Sequence, residues 1–368
     1  SPFSASQQAT GSELWKSDGT AAGTELVKDI NPGPDNSYVD KLTDAGGTLF
    51  FRATDGVTGK ELWKSDGTEE GTVLVKDINV GSGDSAPDAL AVSGSEVFFS
   101  ADDGNAGLEL WKSDGTTAGT VLVKDIKPGA TASIPRYFTD LNGEIIFAAG
   151  DDASGRELWK SDGTAAGTTV LKEIRPGPVG GYPAALKNIN GTIFFAGSGN
   201  EGFELWKSDG TTAGTVLVKD VNPGPSSSYS SQFQESGGEI FFTARTGDAG
   251  FELWKTDGTA DGTVMVKDLN PGSGSSYPTY LTDVAGTLFF TAQNASQTAE
   301  LWQSDGTEAG TVRVVDPQQG VDIANPTQLQ SVGDSLIFAA DNGFDGNELY
   351  TLALTLALLG PASSIAFA

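Results

Sequence analysis

Residues 13–24 read ELWKSDGTAAGT, and nearly the same string returns from Glu61, Glu109, Glu157, Glu204, Glu252 and Glu300. An eroded copy, NELYTL, surrounds Glu348. All seven Trp of the chain occupy one position of this phrase: Trp15, Trp63, Trp111, Trp159, Trp206, Trp254 and Trp302. The steps between them are 48, 48, 48, 47, 48 and 48 residues, and one more step of 48 reaches Tyr350. A fixed period in this range marks a solenoid, a propeller or an array.

The unit from Tyr277 to Asp316 shows what one period holds. YPTYLTDVAG ends in a turn signal, and GTLFFTAQN, AELWQSD and GTVRVVD follow as three short runs rich in Val, Leu, Phe, Thr and Trp. Such runs bounded by Gly, Asp, Asn or Pro are strands. Asn142–Gly143, Asn190–Gly191, Gly46–Gly47 and Gly237–Gly238 suit tight hairpins between the first two strands. Four short antiparallel strands per period predict an all-β fold, a β-propeller of four-stranded antiparallel blades. Radial closure also protects strand edges that an open sheet would expose. The repeated Trp predicts a large apolar contact between adjacent blades.

Within the phrase, Asp-Gly lies between the Trp strand and the Val-rich strand. Asp can accept local backbone N–H bonds, and Gly supplies a positive φ without steric cost. Asp18, Asp66, Asp114, Asp162, Asp209, Asp257 and Asp305 are therefore expected to staple seven hairpins. A fold element is needed once per blade, whereas a catalytic group is rarely needed seven times.

Composition narrows the chemistry. The 368 residues contain no Cys and no His, which removes thiol catalysis, thiolate metal sites, disulfides and the usual general base. No catalytic residue is singled out. The formal charge is −27, from 49 acidic and 22 basic residues. Such a surface disfavours nucleic acid and anionic membranes. No stretch is apolar for long enough to span a bilayer. The opening SPFSASQQATG reads as a trimmed end, not a leader.

The seven copies of ELW-[KQ]-[ST]-D-G-T-x-x-G-T resemble the bacterial repeat family named for its ELWxxDGT motif. The resemblance runs from about Glu13 to Tyr350. It implies a secreted or surface-displayed bacterial protein without an established activity. The hairpin is also similar in role to the Asp-box turn of sialidase-type propellers, but the spacing differs, so no sialidase chemistry carries over.

In such blades the loops from strand two to three and from strand four to the next strand one share a face. The first set is acidic and includes Asp103 and Asp152; the second places Tyr38, Tyr182, Tyr229 and Tyr277 at one blade position. Tyr among carboxylates suits stacking on sugars, making this a candidate ligand face. The plainer reading has the Tyr close the blade tops and the acids solvated. No cofactor is required; short strings such as DDGNAGLE from Asp102 carry oxygen donors that leave room for calcium, while the metal itself is unknown.

The ends do not add up to a whole number of blades. Residues 1–12 read as an N-terminal extension, 13–350 as the propeller, and 351–368 as an apolar tail. If the N-terminal hairpin completes the last blade, seven blades result; eight is the alternative. Tyr350, Leu352, Leu354, Leu356 and Leu358 alternate as in a strand. An exposed strand of this kind could fold back, join subunits into a filament or surface layer, or serve as a sorting tail. The sequence thus predicts a non-enzymatic, extracellular or bacterial-surface structural or adhesive propeller. Its partners would be further copies of itself or extracellular glycans. A glycan- or calcium-binding lectin-like propeller and a carbohydrate-active enzyme are the alternatives.

Overall fold

Each repeat folds through hairpins its turn residues dictate. Asp88–Ser93 and Glu96–Asp102 pair antiparallel across a turn at Gly94, whose φ of 59° lies in the left-handed region open to Gly. Leu108–Ser113 pairs next, and Val121–Lys124 completes the sheet in chain order. The second strand is the most apolar because both its faces are covered: Val97, Phe98, Phe99 and Ala101 are all buried.

The structure, a computed structural model, describes residues 1–315, 325–341 and 347–353. These form thirty strands and no helix. They make eight consecutive antiparallel sheets, six of four strands and two of three, in sequence order throughout. The chain is an all-β β-propeller of eight blades. Among the described residues no helix is long and apolar enough to cross a membrane. The chain divides into two compact units, Ser1–Gly191 and Thr192–Ala368.

The blade number corrects the seven-bladed expectation in favour of its alternative. Pro2–Gln7 is a strand, paired along its length with Gly11–Lys16, and with Glu25–Lys28 it makes a sheet of its own. The first hairpin therefore does not complete the last sheet. The last sheet is built from Thr327–Val332, Ser335–Asp341 and Asn347–Ala353. Tyr350 stacks on Phe338 at 5.6 Å, and Leu352 is fully buried against Val284, Phe289 and Leu301. Leu354, Leu356 and Leu358 lie outside the described residues.

Adjacent blades meet through the repeated Trp. Trp63 packs with Leu14 and Val27 of the first sheet and with Ile30 just beyond it. Trp111 packs on Phe50, Leu62 and Val75, and Trp159 on Phe98, Leu110 and Val123. In the second unit Trp302 packs on Phe241, Leu253 and Val266. Trp206 and Trp254 are also buried, whereas Trp15 is only partly so. A second link joins the blades outside the core. The Lys that ends the last strand of a sheet reaches the DGT loop of the next sheet: Lys28 Nζ donates to Thr72 O at 2.8 Å, Lys76 to Thr120 O at 2.7 Å and Lys219 to Thr263 O at 2.7 Å.

Candidate functional site

The face that carries the candidate ligand residues is anchored from beneath by the Glu that opens each phrase. Glu61, Glu109, Glu157, Glu204 and Glu252 are fully buried. A buried carboxylate must be hydrogen-bonded, and each of these is. Glu109 Oε2 accepts the Ile126 N–H at 2.8 Å and the Ser133 hydroxyl at 2.6 Å; its Oε1 accepts the Ser133 N–H at 2.8 Å. Glu252 holds Leu269 and Ser276 in the same way, at 2.9 Å and 3.0 Å from their N–H groups. The loop from strand four to the next strand one is thus pinned at both ends by one side chain.

What the pin holds is strained. The residue after the pinned Ser is Tyr38, Ala86, Ile134, Tyr229 or Tyr277, with φ between 47° and 53°. Tyr182, at φ 47°, follows Gly181 at the equivalent place. The left-handed region is unfavourable for bulky residues and persists only where the surroundings fix it. Here the Glu carboxylate does so. The outcome is four Tyr that stand 50–56% exposed on the loop face.

Burial, opposed by these hydrogen bonds, raises the pKa of each of the five Glu; for Glu157 and Glu252 it is raised to about 7. Glu157 is the variant case. Gly181 replaces the Ser there, so no hydroxyl reaches its carboxylate, which accepts only backbone N–H groups.

The Tyr are not equivalent in their neighbours. In the second unit Tyr229 packs on Phe203 at 5.8 Å and Tyr277 on Phe251 at 5.4 Å. Arg245 lies 5.8 Å from the Tyr229 ring and 6.0 Å from the Phe251 ring, which links the two pairs into one stack. In the first unit Lys60 Nζ sits 5.0 Å above Tyr38, beside a cleft of about 560 Å³ that Tyr38 and Asp55 help to line. A second cleft of about 410 Å³ brings Tyr182 together with Asp152 and Arg156. Asp103 lies apart from both clefts. It closes its own turn, accepting the Asn105 and Ala106 N–H groups at 2.9 Å. Among the described residues no group of three or more acidic side chains is placed to hold a metal ion.

The Asp of the repeated phrase lie elsewhere, in the hairpin between strands three and four. Asp114 Oδ1 accepts the Thr116 N–H at 2.8 Å and its hydroxyl at 2.7 Å, and Thr116 Oγ1 accepts the Gly119 N–H. Asp18, Asp66, Asp162, Asp209, Asp257 and Asp305 do the same. The Thr hydroxyl first, and then its N–H, hold these carboxyls below their ordinary range.

No family model and no curated protein matches the chain. Solved structures do. One is a prolyl endopeptidase studied for inter-domain dynamics in catalysis and specificity: TM-score 0.51, 13% identity, covering 86% of this chain and 48% of that one. Another is a puromycin-hydrolyzing peptidase of Mycobacterium tuberculosis: TM-score 0.50, 13% identity, covering 93% of this chain and 54% of that one. The chain spans about half the length of these proteins, and at such identity the likeness defines the fold.

These neighbours overturn the expectation of a non-enzymatic structural or adhesive propeller, along with its lectin-like and carbohydrate-active alternatives. Both of these structures are of peptidases. The expectation failed for a physical reason. Sevenfold repetition of a hairpin describes how blades are held, and is silent about what the opposite loops receive. The buried Glu pins were also missed. Their signal was in the phrase itself: a charged residue kept in every copy immediately before an apolar pair.

Proposed function

We propose that the chain handles peptides as the propeller of a peptidase-related protein, receiving an extended peptide on the Tyr-bearing loop face. The observation that carries this reading is the likeness of the fold to two peptidases over 86% and 93% of the chain. The loop face supports it. Half-exposed Tyr on fixed backbone give large contact area at little entropic cost, as peptide recognition requires. A histidine-assisted nucleophile cannot be assembled from these 368 residues, which contain no His. In this reading their share of the work is selection and positioning of the peptide, and hydrolytic groups of that kind come from elsewhere.

Fluorescence anisotropy with labelled proline-containing peptides, run beside a fluorogenic hydrolysis assay, tests it. Saturable binding in the micromolar range, weakened by Tyr229→Ala or Tyr277→Ala, is the expected outcome. Neither binding nor turnover with peptide at about 1 mM, a concentration that detects even −4 kcal/mol, overturns it.

A further inference from the structure

The second cleft holds Arg156, a cation with no ion-pair partner among the described residues. Arg156 precedes the buried Glu157 and is itself half-buried. Its Nη1 donates to Ile134 O at 2.9 Å, and its guanidinium makes no ion pair with any described carboxylate. Arg52, by contrast, is matched by Asp40 through two bonds. The acids that line the same cleft are already engaged. Asp151 Oδ1 accepts the Ala153 and Ser154 N–H groups and the Ser154 hydroxyl. Asp152 pairs with Lys127 at 3.0 Å.

Arg136, which is exposed, lies near enough to matter: burial first, and then the Arg136 charge, pull the Arg156 guanidinium below its ordinary pKa. Tyr182 forms a wall of the cleft. In a chain of charge −27, Arg156 lines a cleft where no described carboxylate pairs with it, and Arg136 lies two residues beyond Ile134, whose carbonyl Arg156 bonds. Half-burying a charge without a partner is costly, and a site that tolerates it suits an anion supplied from outside. A planar guanidinium fork matches a carboxylate in two parallel hydrogen bonds.

We propose that this cleft binds the C-terminal carboxylate of a peptide through Arg156, with the exposed Arg136 supplying a second positive charge nearby. The assignment of the carboxylate to a peptide rests on the function proposed above; the lack of a described ion-pair partner for Arg156 does not.

The test uses three labelled peptides on the whole chain: a proline-containing pentapeptide with a free C-terminus, its C-terminal amide, and the amide carrying one internal Glu. The free acid is expected to bind about tenfold more tightly than the amide, the loss typical of one charged hydrogen-bonded contact. Arg156→Gln and Arg136→Gln should each erase that difference. If Arg156→Gln does not fold, the exposed Arg136 decides alone. Equal affinity of acid and amide overturns the proposal while leaving peptide handling intact. An internal Glu that restores the amide's affinity upholds the carboxylate site and assigns it to an acidic side chain, overturning the terminal assignment. If none of the peptides binds, the peptide reading fails, and acetate titrated against the Arg156 Nε–H resonance decides the site. A shift that Arg136→Gln abolishes upholds a carboxylate site, and no shift ends it.

Discussion

Glu109 shows how one side chain can set both a fold and a surface. Charged residues are seldom fully buried unless paired, and the sequence analysis assigned the ELW glutamate no role. The structure turns it inward, where its two oxygens fix a loop seventeen and twenty-four residues on. The consequence is a pH dependence. Glu157 and Glu252 rise from 4.5 to about 7 on folding. Below 4.5 they are protonated in both states and their contribution is fully present; it is lost as pH climbs to about 7. Each would give up roughly 3 kcal/mol across that window by linkage. The turn Asp act in the opposite sense, since their lowered pKa makes a contribution present above 3.8 that falls away under acid. Thermal denaturation should therefore show a stability maximum near pH 4–5, and Glu252→Gln should flatten the decline toward pH 7. A profile of Glu252→Gln parallel to wild type would refute the assignment.

At the scale of the element, the DGT hairpin and the Trp seam divide the work. Gly119 sits so close to Asp114 that a Cβ there would lie 2.1 Å from its Oδ1. Gly119→Ala should expel the carboxylate from its turn and cost about 1 kcal/mol, read as a lower urea midpoint. Trp111→Ala, in a seam buried between two sheets, should cost about 3–5 kcal/mol. Trp15→Ala, at a partly exposed position, should cost clearly less, and equal costs would count against the seam. The strands and hairpins were legible because period-two runs and Asn-Gly or Gly-Gly turns announce themselves. The first strand was not. PFSASQ carries one large apolar residue and is mostly exposed, so nothing in it distinguishes a strand from an extension. Its pairing with Gly11–Lys16 is what turned seven expected blades into eight.

For the whole molecule, repetition fixes architecture and leaves function to what departs from repetition. Tyr38, Tyr182, Tyr229 and Tyr277 were legible as a set because they share a blade position. Their αL backbone and their separate surroundings were not, since these depend on residues a whole repeat away. Arg156 stands where other copies carry Lys60, Leu108, Phe203 and Phe251, and only the folded chain shows that no described carboxylate pairs with it. The claim that this loop face receives a peptide is tested most directly by hydrogen exchange of the whole chain with and without a saturating proline-containing peptide. Protection should appear in the loops around Tyr229 and Tyr277. Protection confined to the Asp114 and Asp257 hairpins, or none anywhere, would contradict the account.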